Sequence, residues 1–223
     1  MESALPGLNL GWTISDEGQF IPLPQREEWL ARGRPGGRGF PLICNGNESH
    51  LVTLSGLEPP EAVSSGRQVQ FEVHAALPLS ADIIPAAEDV LEALAEGARA
   101  FWGHTTPFSA GVDIARQMKG ARNPQAPPRG LPALMRPWDI RAPEIPHRLG
   151  WLNYWSAAAA QAIGFPDPSR DADMLLRSRR TATGGWIVRL TEAPLQLDIP
   201  AHMNALLRAY ERFPEIGGRA PSG

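Results

Sequence analysis

Cysteine is almost missing from the chain: Cys44 is the only one among 223 residues. A single thiol excludes an internal disulfide and any zinc site built on paired cysteines. Lysine is equally scarce, since Lys119 stands alone and arginine supplies the rest of the basic charge. An excess of charge of either sign is lacking too. Lysine and arginine total 21 and aspartate and glutamate 24, a formal charge of −3. That balance gives no electrostatic footing for binding nucleic acid or a membrane surface, and it is too slight to mimic a nucleic acid. No apolar run is long enough to cross a bilayer. The opening residues, Met1 to Leu8, lack the basic stretch and apolar run of a secretory leader, so a cytoplasmic protein is expected. Catalytic signatures are also missing. There is no Gly-x-Ser-x-Gly elbow, no Walker loop, no Gly-x-Gly-x-x-Gly fingerprint and no His-Glu-x-x-His ligand pair.

What is present is an ordinary globular composition, 43% hydrophobic and 20% charged, enough to build a core. Seven tryptophans against two tyrosines put some indoles in that core. Leu8–Ile14 and Gln19–Leu23 flank Ser15-Asp16-Glu17-Gly18 and predict a hairpin. Gln25–Arg32 predicts a short helix that Gly33 can end, before a glycine-rich loop over 34–39. Phe40–Cys44 and Leu51–Leu54 predict a second hairpin around Asn45-Gly46-Asn47, where both Asn and Gly tolerate positive φ. Val69 to Leu77 alternates strictly. Val69, Phe71, Val73, Ala75 and Leu77 predict a buried face, and Gln68, Gln70, Glu72 and His74 a wet one.

Pro85 to Phe101 predicts a helix with Ala87, Val90, Leu91, Leu94, Ala98 and Phe101 in one stripe. Glu88, Asp89 and Glu92 lie in its first turns, where the helix dipole favours negative charge. Ser109 is placed to cap a short helix through Met118. Seven prolines between 120 and 146 predict a long loop, because proline has no amide hydrogen to pair, anchored by Leu131, Leu134, Met135 and Trp138. Leu149–Tyr154 predicts a strand, and Ser156 caps a helix from Ala157 to Ile163 that Gly164 stops. Met174–Thr181 and Trp186–Leu190 predict a hairpin at Thr183-Gly184-Gly185. Pro200–Phe213 predicts the last helix, with Met203, Leu206, Leu207 and Tyr210 on one face, and a loose tail follows from Gly217. Strands early and late with helices between predict an α+β fold: a single domain over 1–223, with a largely antiparallel sheet and helices packed on one face.

Few residues ask for a chemical role. Asp171 and Asp173 form an Asp-x-Asp pair of the kind that holds a divalent metal in some transferases. No phosphate-binding loop accompanies them, and a solvated turn accounts for them as well. His104, read at a helix end just after Trp102, would be favoured in its protonated form by the dipole. His50 borders a turn, His74 sits on the wet face, His147 stands among prolines, and His202 can bond locally in the last helix. Cys44 reads as a buried, inert strand residue. Trp138, in Arg136-Pro137-Trp138-Asp139-Ile140-Arg141, joins tryptophan to arginine as interface hot spots do, and can equally pin the loop to the core. No catalytic residue, metal ligand set or cofactor site emerges.

Leu149-Gly-Trp-Leu-Asn-Tyr-Trp155, the helix ending at Gly164, the segment Gly184-Gly-Trp-Ile-Val-Arg-Leu190 and Asp198-Ile-Pro-Ala-His202 together resemble a known pattern. They are similar to the carboxy-terminal half of the immunity-52 family of bacterial polymorphic toxin systems. They are also similar to a related family of uncharacterised bacterial proteins and to type VI secretion immunity proteins. The resemblance covers roughly the last third of the chain, with weaker agreement over Val69–Phe101. It implies a protein that binds a cognate protein toxin stoichiometrically and blocks it, with no catalytic group and no cofactor. Residue type and loop position nominate Trp138, Asp139 and Arg141 for that contact, with Trp102 and His104 behind them. The competing expectations are a metal-assisted enzyme using Asp171 and Asp173, and an accessory or scaffold protein of a secretion system.

Overall fold

A computed structural model describes residues 1–32, 41–57, 70–76, 83–118, 128–140 and 142–219, without the side chains of residues 57, 70, 128 and 138. The glycine-rich loop over 34–39, together with Val69 and Leu77, lies outside the described residues. Within an α+β arrangement the chain divides into two compact units, Met1–Ile83 and Ile84–Gly223.

In the first unit, β1 (Trp12–Ile14), β2 (Phe20–Pro22), β3 (Ile43–Cys44), β4 (Val52–Leu57) and β5 (Gln70–Ala75) form an antiparallel sheet in the order β2-β1-β3-β4-β5. Both expected hairpins are there, made by the expected turn residues. Gly18 takes φ 82°, and Ser15 Oγ accepts from Gln19 N at 3.1 Å. Between β3 and β4, Asn45 Oδ1 accepts from Val52 N at 3.0 Å and Asn45 Nδ2 donates to His50 O at 2.8 Å. Gly46 takes φ 65°, and a Cβ there would fall 2.8 Å from the Trp12 ring. Glycine is needed both for the conformation and for the space. The helix α1 (Arg26–Arg32) sets Trp29 and Leu30 against Leu10, Ile43 and Val52. β5 forms as expected, but its apolar face is not buried: Phe71 is 47% exposed. Alternation marks a strand; whether a second layer covers it depends on residues far away in sequence.

In the second unit, β6 (Trp102–Thr105), β7 (Leu152–Trp155), β8 (Ser178–Arg180) and β9 (Trp186–Arg189) form another antiparallel sheet, ordered β6-β7-β9-β8. All four residues of β7 are buried. Successive strand side chains point to opposite faces. Tyr154 Oη accordingly donates to Glu96 Oε1 on α2 (Ile83–Gly97) at 3.2 Å. Trp155 points the other way and meets Phe165 and Phe213 edge-on, at 5.0 and 5.2 Å between ring centres. Phe213 directly follows α6 (Pro200–Arg212), which buries Leu206 and Tyr210 as its stripe predicts. Tyr154 thus faces α2, and Trp155 faces the ring that follows α6. Burying a leucine or phenylalanine is worth about 1.5–3 kcal/mol, and each edge-on ring pair adds about 0.5–1.5 kcal/mol.

Several local expectations change. α2 stops at Gly97, short of Phe101, because Arg99 turns the chain at φ 51°. Trp102–Thr105 is then free to pair as β6, so His104 lies in a strand and not at a helix end. The helix α3 (Phe108–Ala115) starts after Pro107, and Ser109 falls inside it. The helix α4 (Ala157–Ala162) has its expected cap, with Ser156 Oγ accepting from Ala159 N at 3.2 Å, and Gly164 follows at φ 65°. Met174 and Leu175 belong to α5 (Ala172–Leu175), which shortens the arm of the β8–β9 hairpin.

In the proline-rich loop Leu131 and Leu134 are buried, as expected of anchors. Gln117 ties the loop down: Nε2 donates to Pro132 O at 3.0 Å, and Oε1 accepts from Tyr210 Oη at 3.1 Å. The tail is not loose where it begins. Met135 N donates to Gly217 O, and Gly217 N donates to Pro146 O, both at 2.9 Å. Arg219 donates to the carbonyls of Tyr210, Phe213 and Ile216 and lays its guanidinium over the Tyr210 ring. Residues 220–223 lie outside the described residues.

Candidate interaction surface

The residues nominated from sequence are Trp138, Asp139, Arg141, Trp102 and His104. Arg141 and the side chain of Trp138 lie outside the described residues. The backbone of Pro137–Asp139 makes one 3-10 turn, and exposed Asp139 pairs with Arg136 at 2.9 Å. Trp102 is half-buried in β6, its ring tilted 6.3 Å from that of His147. His104 keeps some residue surface, but its Nδ1 is enclosed and has no hydrogen-bond partner among the described residues. A Cβ on Gly150 would come within 3.0 Å of that nitrogen.

Burial, reinforced by the charges of Arg148 and His147, pulls His104 down to about 3. Burial, helped by Arg148 and partly offset by the bond to Met135 O, pulls His147 to about 4. Both rings are neutral at pH 7. His147 Nε2, 2.9 Å from Met135 O, carries the proton, and Nδ1 accepts from Arg148 Nε at 3.2 Å. The reading of His104 as a helix-end residue favoured in its protonated form is therefore corrected: it lies in β6, where burial keeps the ring neutral.

Asp171 and Asp173 do not form a two-carboxylate site. Asp171 is buried, and Arg212 takes both its oxygens: Nε to Oδ1 at 2.6 Å and Nη2 to Oδ2 at 2.9 Å. Oδ2 also accepts from Asp167 N at 2.7 Å. Asp173 points into solvent from the first turn of α5. Among the described residues, no group of three or more His, Cys, Asp or Glu side chains is placed to hold a metal ion, and no helix is long and apolar enough to cross a membrane. Cys44 is buried, and burial pushes its thiol up, so it stays protonated and unreactive.

What sequence reasoning missed is a charged lattice joining α2 to the β8–β9 hairpin. Arg179 reaches three carboxylates: Asp89 at 2.9 Å, Glu88 at 3.4 Å, and Glu92. Glu88 also takes Arg189 at 2.6 Å. The partners lie between 87 and 101 residues apart, so no local window contains both signs. The acidic turns of α2 were visible, but a dipole accounted for them. The structure gives them arginine partners instead. Beside the lattice is a depression of about 230 Å³ that Leu176 and Arg177 help to line. Leu176, just after α5, is 85% exposed, and Phe108, opening α3, is 76% exposed. In the first unit a depression of about 480 Å³ runs over Trp12, Pro22, Leu23 and Pro24, with the Glu2–Arg26 pair at 2.6 Å beside it.

A family model described as a domain of unknown function (DUF5953) matches residues 1–221. No curated protein and no solved structure matches the chain.

Proposed function

We propose the following for this chain, which belongs to the DUF5953 family: it acts by presenting a rigid surface to a partner protein and performs no chemistry of its own. The partner is a toxin, which the chain neutralises one to one in the cytoplasm of the producing cell. The observation that carries the reading is Leu176, a large apolar side chain held out in solvent beside arginines that are already locked to α2. An apolar centre among arginines is how protein interfaces are composed. Because Arg179 and Arg189 are fixed in advance, little freedom is lost when a partner arrives.

Two further observations support it. The side chains best suited to chemistry are committed to the fold: Asp171 to Arg212, and His147 to Met135 and Arg148. The resemblance of Leu149–His202 to immunity-52 and type VI secretion immunity proteins points the same way. Blocking a toxin needs only shape and charge, which a shallow surface supplies.

The test is co-expression with the product of the adjacent gene. A single one-to-one species in light scattering after gel filtration, with growth restored, is the expected result. Neither complex nor rescue would end the toxin reading. A complex without rescue would replace it with an accessory role in a secretion system.

A further inference from the structure

We propose that the corner between α5 and β8 receives an acidic segment of a partner protein. One carboxylate of that segment enters the depression at Arg177 and Arg189, and an adjacent apolar side chain covers Leu176. This rests on the protein-binding reading above and gives it a surface and a partner chemistry.

Three guanidiniums, Arg177, Arg179 and Arg189, line a depression that offers two carboxylates, Glu88 and Glu192. Glu88 is committed: its side chain is 17% exposed, and it bonds both Arg179 and Arg189. Glu192 is not: its side chain is 75% exposed and stands 3.7 Å from Arg189 Nη1. An ion pair that long and that wet contributes almost nothing and is easily exchanged. Arg177 makes only a 3.5 Å contact from Nε to the Arg189 carbonyl, and it has no ion pair among the described residues. With Asp89 and Glu92, which Arg179 also bonds, four carboxylates stand around the three guanidiniums, so the opening is local: among the described residues Arg177 has no carboxylate partner, and the outermost anion, Glu192, is replaceable. An incoming aspartate or glutamate can take the place of Glu192 at Arg189 and gain Arg177 as well, in charge-assisted bonds that suit the guanidinium fork. An incoming lysine or arginine at this point would face the Arg177 guanidinium, which no carboxylate among the described residues neutralises. A free phosphate would match the guanidiniums but leave Leu176 in water. The apolar neighbour is what selects a peptide.

The test uses the full chain and three fluorescein-labelled twelve-residue peptides: alternating glutamate and leucine, alternating lysine and leucine, and alternating glutamate and serine. Anisotropy titration at low ionic strength should show the glutamate–leucine peptide bound about tenfold more tightly than either of the others. Arg177→Glu and Leu176→Ser should each weaken it about tenfold. Leu176 is exposed and Arg177 half-buried, and unchanged circular dichroism would show that both variants fold. Arg208→Glu, the same charge reversal on the exposed side of α6, should leave binding as it was. Equal binding of the three peptides, binding that survives both substitutions, or an Arg208→Glu effect as large as that of Arg177→Glu would overturn the proposal. No toxin is used, so failure of the neighbouring gene product to bind leaves this surface standing. A complex with that product that tolerates both substitutions would remove the surface and leave the neutralisation reading intact.

Discussion

Among the described residues, the second unit buries 25 apolar residues in one cluster running from Leu91 to Ile216, while the first unit gathers Leu10, Ile43 and Val52. The two are held together differently as a result. In the first unit the turns do much of the fixing: the Asn45 side chain spans only to His50 and Val52. In the second, the decisive contacts join distant stretches, as when Asp171 meets Arg212 across 41 positions and Leu149 meets Tyr210 across 61. A local hydrogen bond costs little chain entropy and brings a small return. A distant contact costs more to close, and it persists only where burial offsets the cost.

The contrast can be broken most directly at Asp171. Asp171→Ala leaves the Arg212 guanidinium largely buried without its counter-ion and should cost about 3–5 kcal/mol in urea unfolding followed by tryptophan fluorescence. A loss below that of the turn substitution described next would dissolve the distinction between the units. Acid should act next, and on the second unit. His104 and His147 bind protons only near 3 and 4 when folded, against an ordinary value of 6.5. Below pH 6.5 the unfolded chain takes up protons that the folded one refuses, so stability falls as pH falls through that window. The fall is on the order of 1 kcal/mol per pH unit for each ring. His147→Gln should flatten the pH dependence of the urea midpoint between pH 7 and 5; an unchanged slope would mean that the ring is not held neutral.

In the first unit, Gly46→Ala meets both a left-handed φ and the Trp12 ring, and should cost about 1–3 kcal/mol. Hydrogen exchange at the β3–β4 amides would register it locally. Arg32→Ala, which removes an exposed pair with Glu28 at 3.3 Å, should change stability by less than about 0.5 kcal/mol. A larger effect would show that surface charge, and not the turns, sustains α1.

Turn chemistry and helix stripes were readable in the sequence because their causes lie within a few residues. Gly18, Gly46, Ser156 and Gly164 do what their positions imply, and α6 turns the expected face inward. The failures have one physical origin. The apolar run after Glu96 continues the stripe of α2, and only the turn at Arg99 separates it from β6, so His104 was read on the wrong element. The alternation of β5 could not say whether anything lies over Phe71. The Glu88–Arg179–Arg189 lattice, like the Asp171–Arg212 pair, is visible only once the chain has brought its ends together. Of the candidate surface, therefore, arginine content was legible in the sequence and location was not. Leu176 was passed over because a leucine following Met174 and Leu175 within a predicted strand looks like core.

The hydrogen bonds that tie Gly217 to Met135 and Pro146 also set an order of events at the ribosome. Residues 12–57 carry every partner needed for β1 to β4 and can settle while translation continues. Leu134, by contrast, waits for the distant Gly217, which closes over it, as the final turn of α6 waits for Arg219 to fasten it. The second unit is thus completed only once Gly217 and Arg219 have been made, and a nascent chain stalled before Gly217 would lack both hydrogen bonds that this glycine shares with Met135 and Pro146.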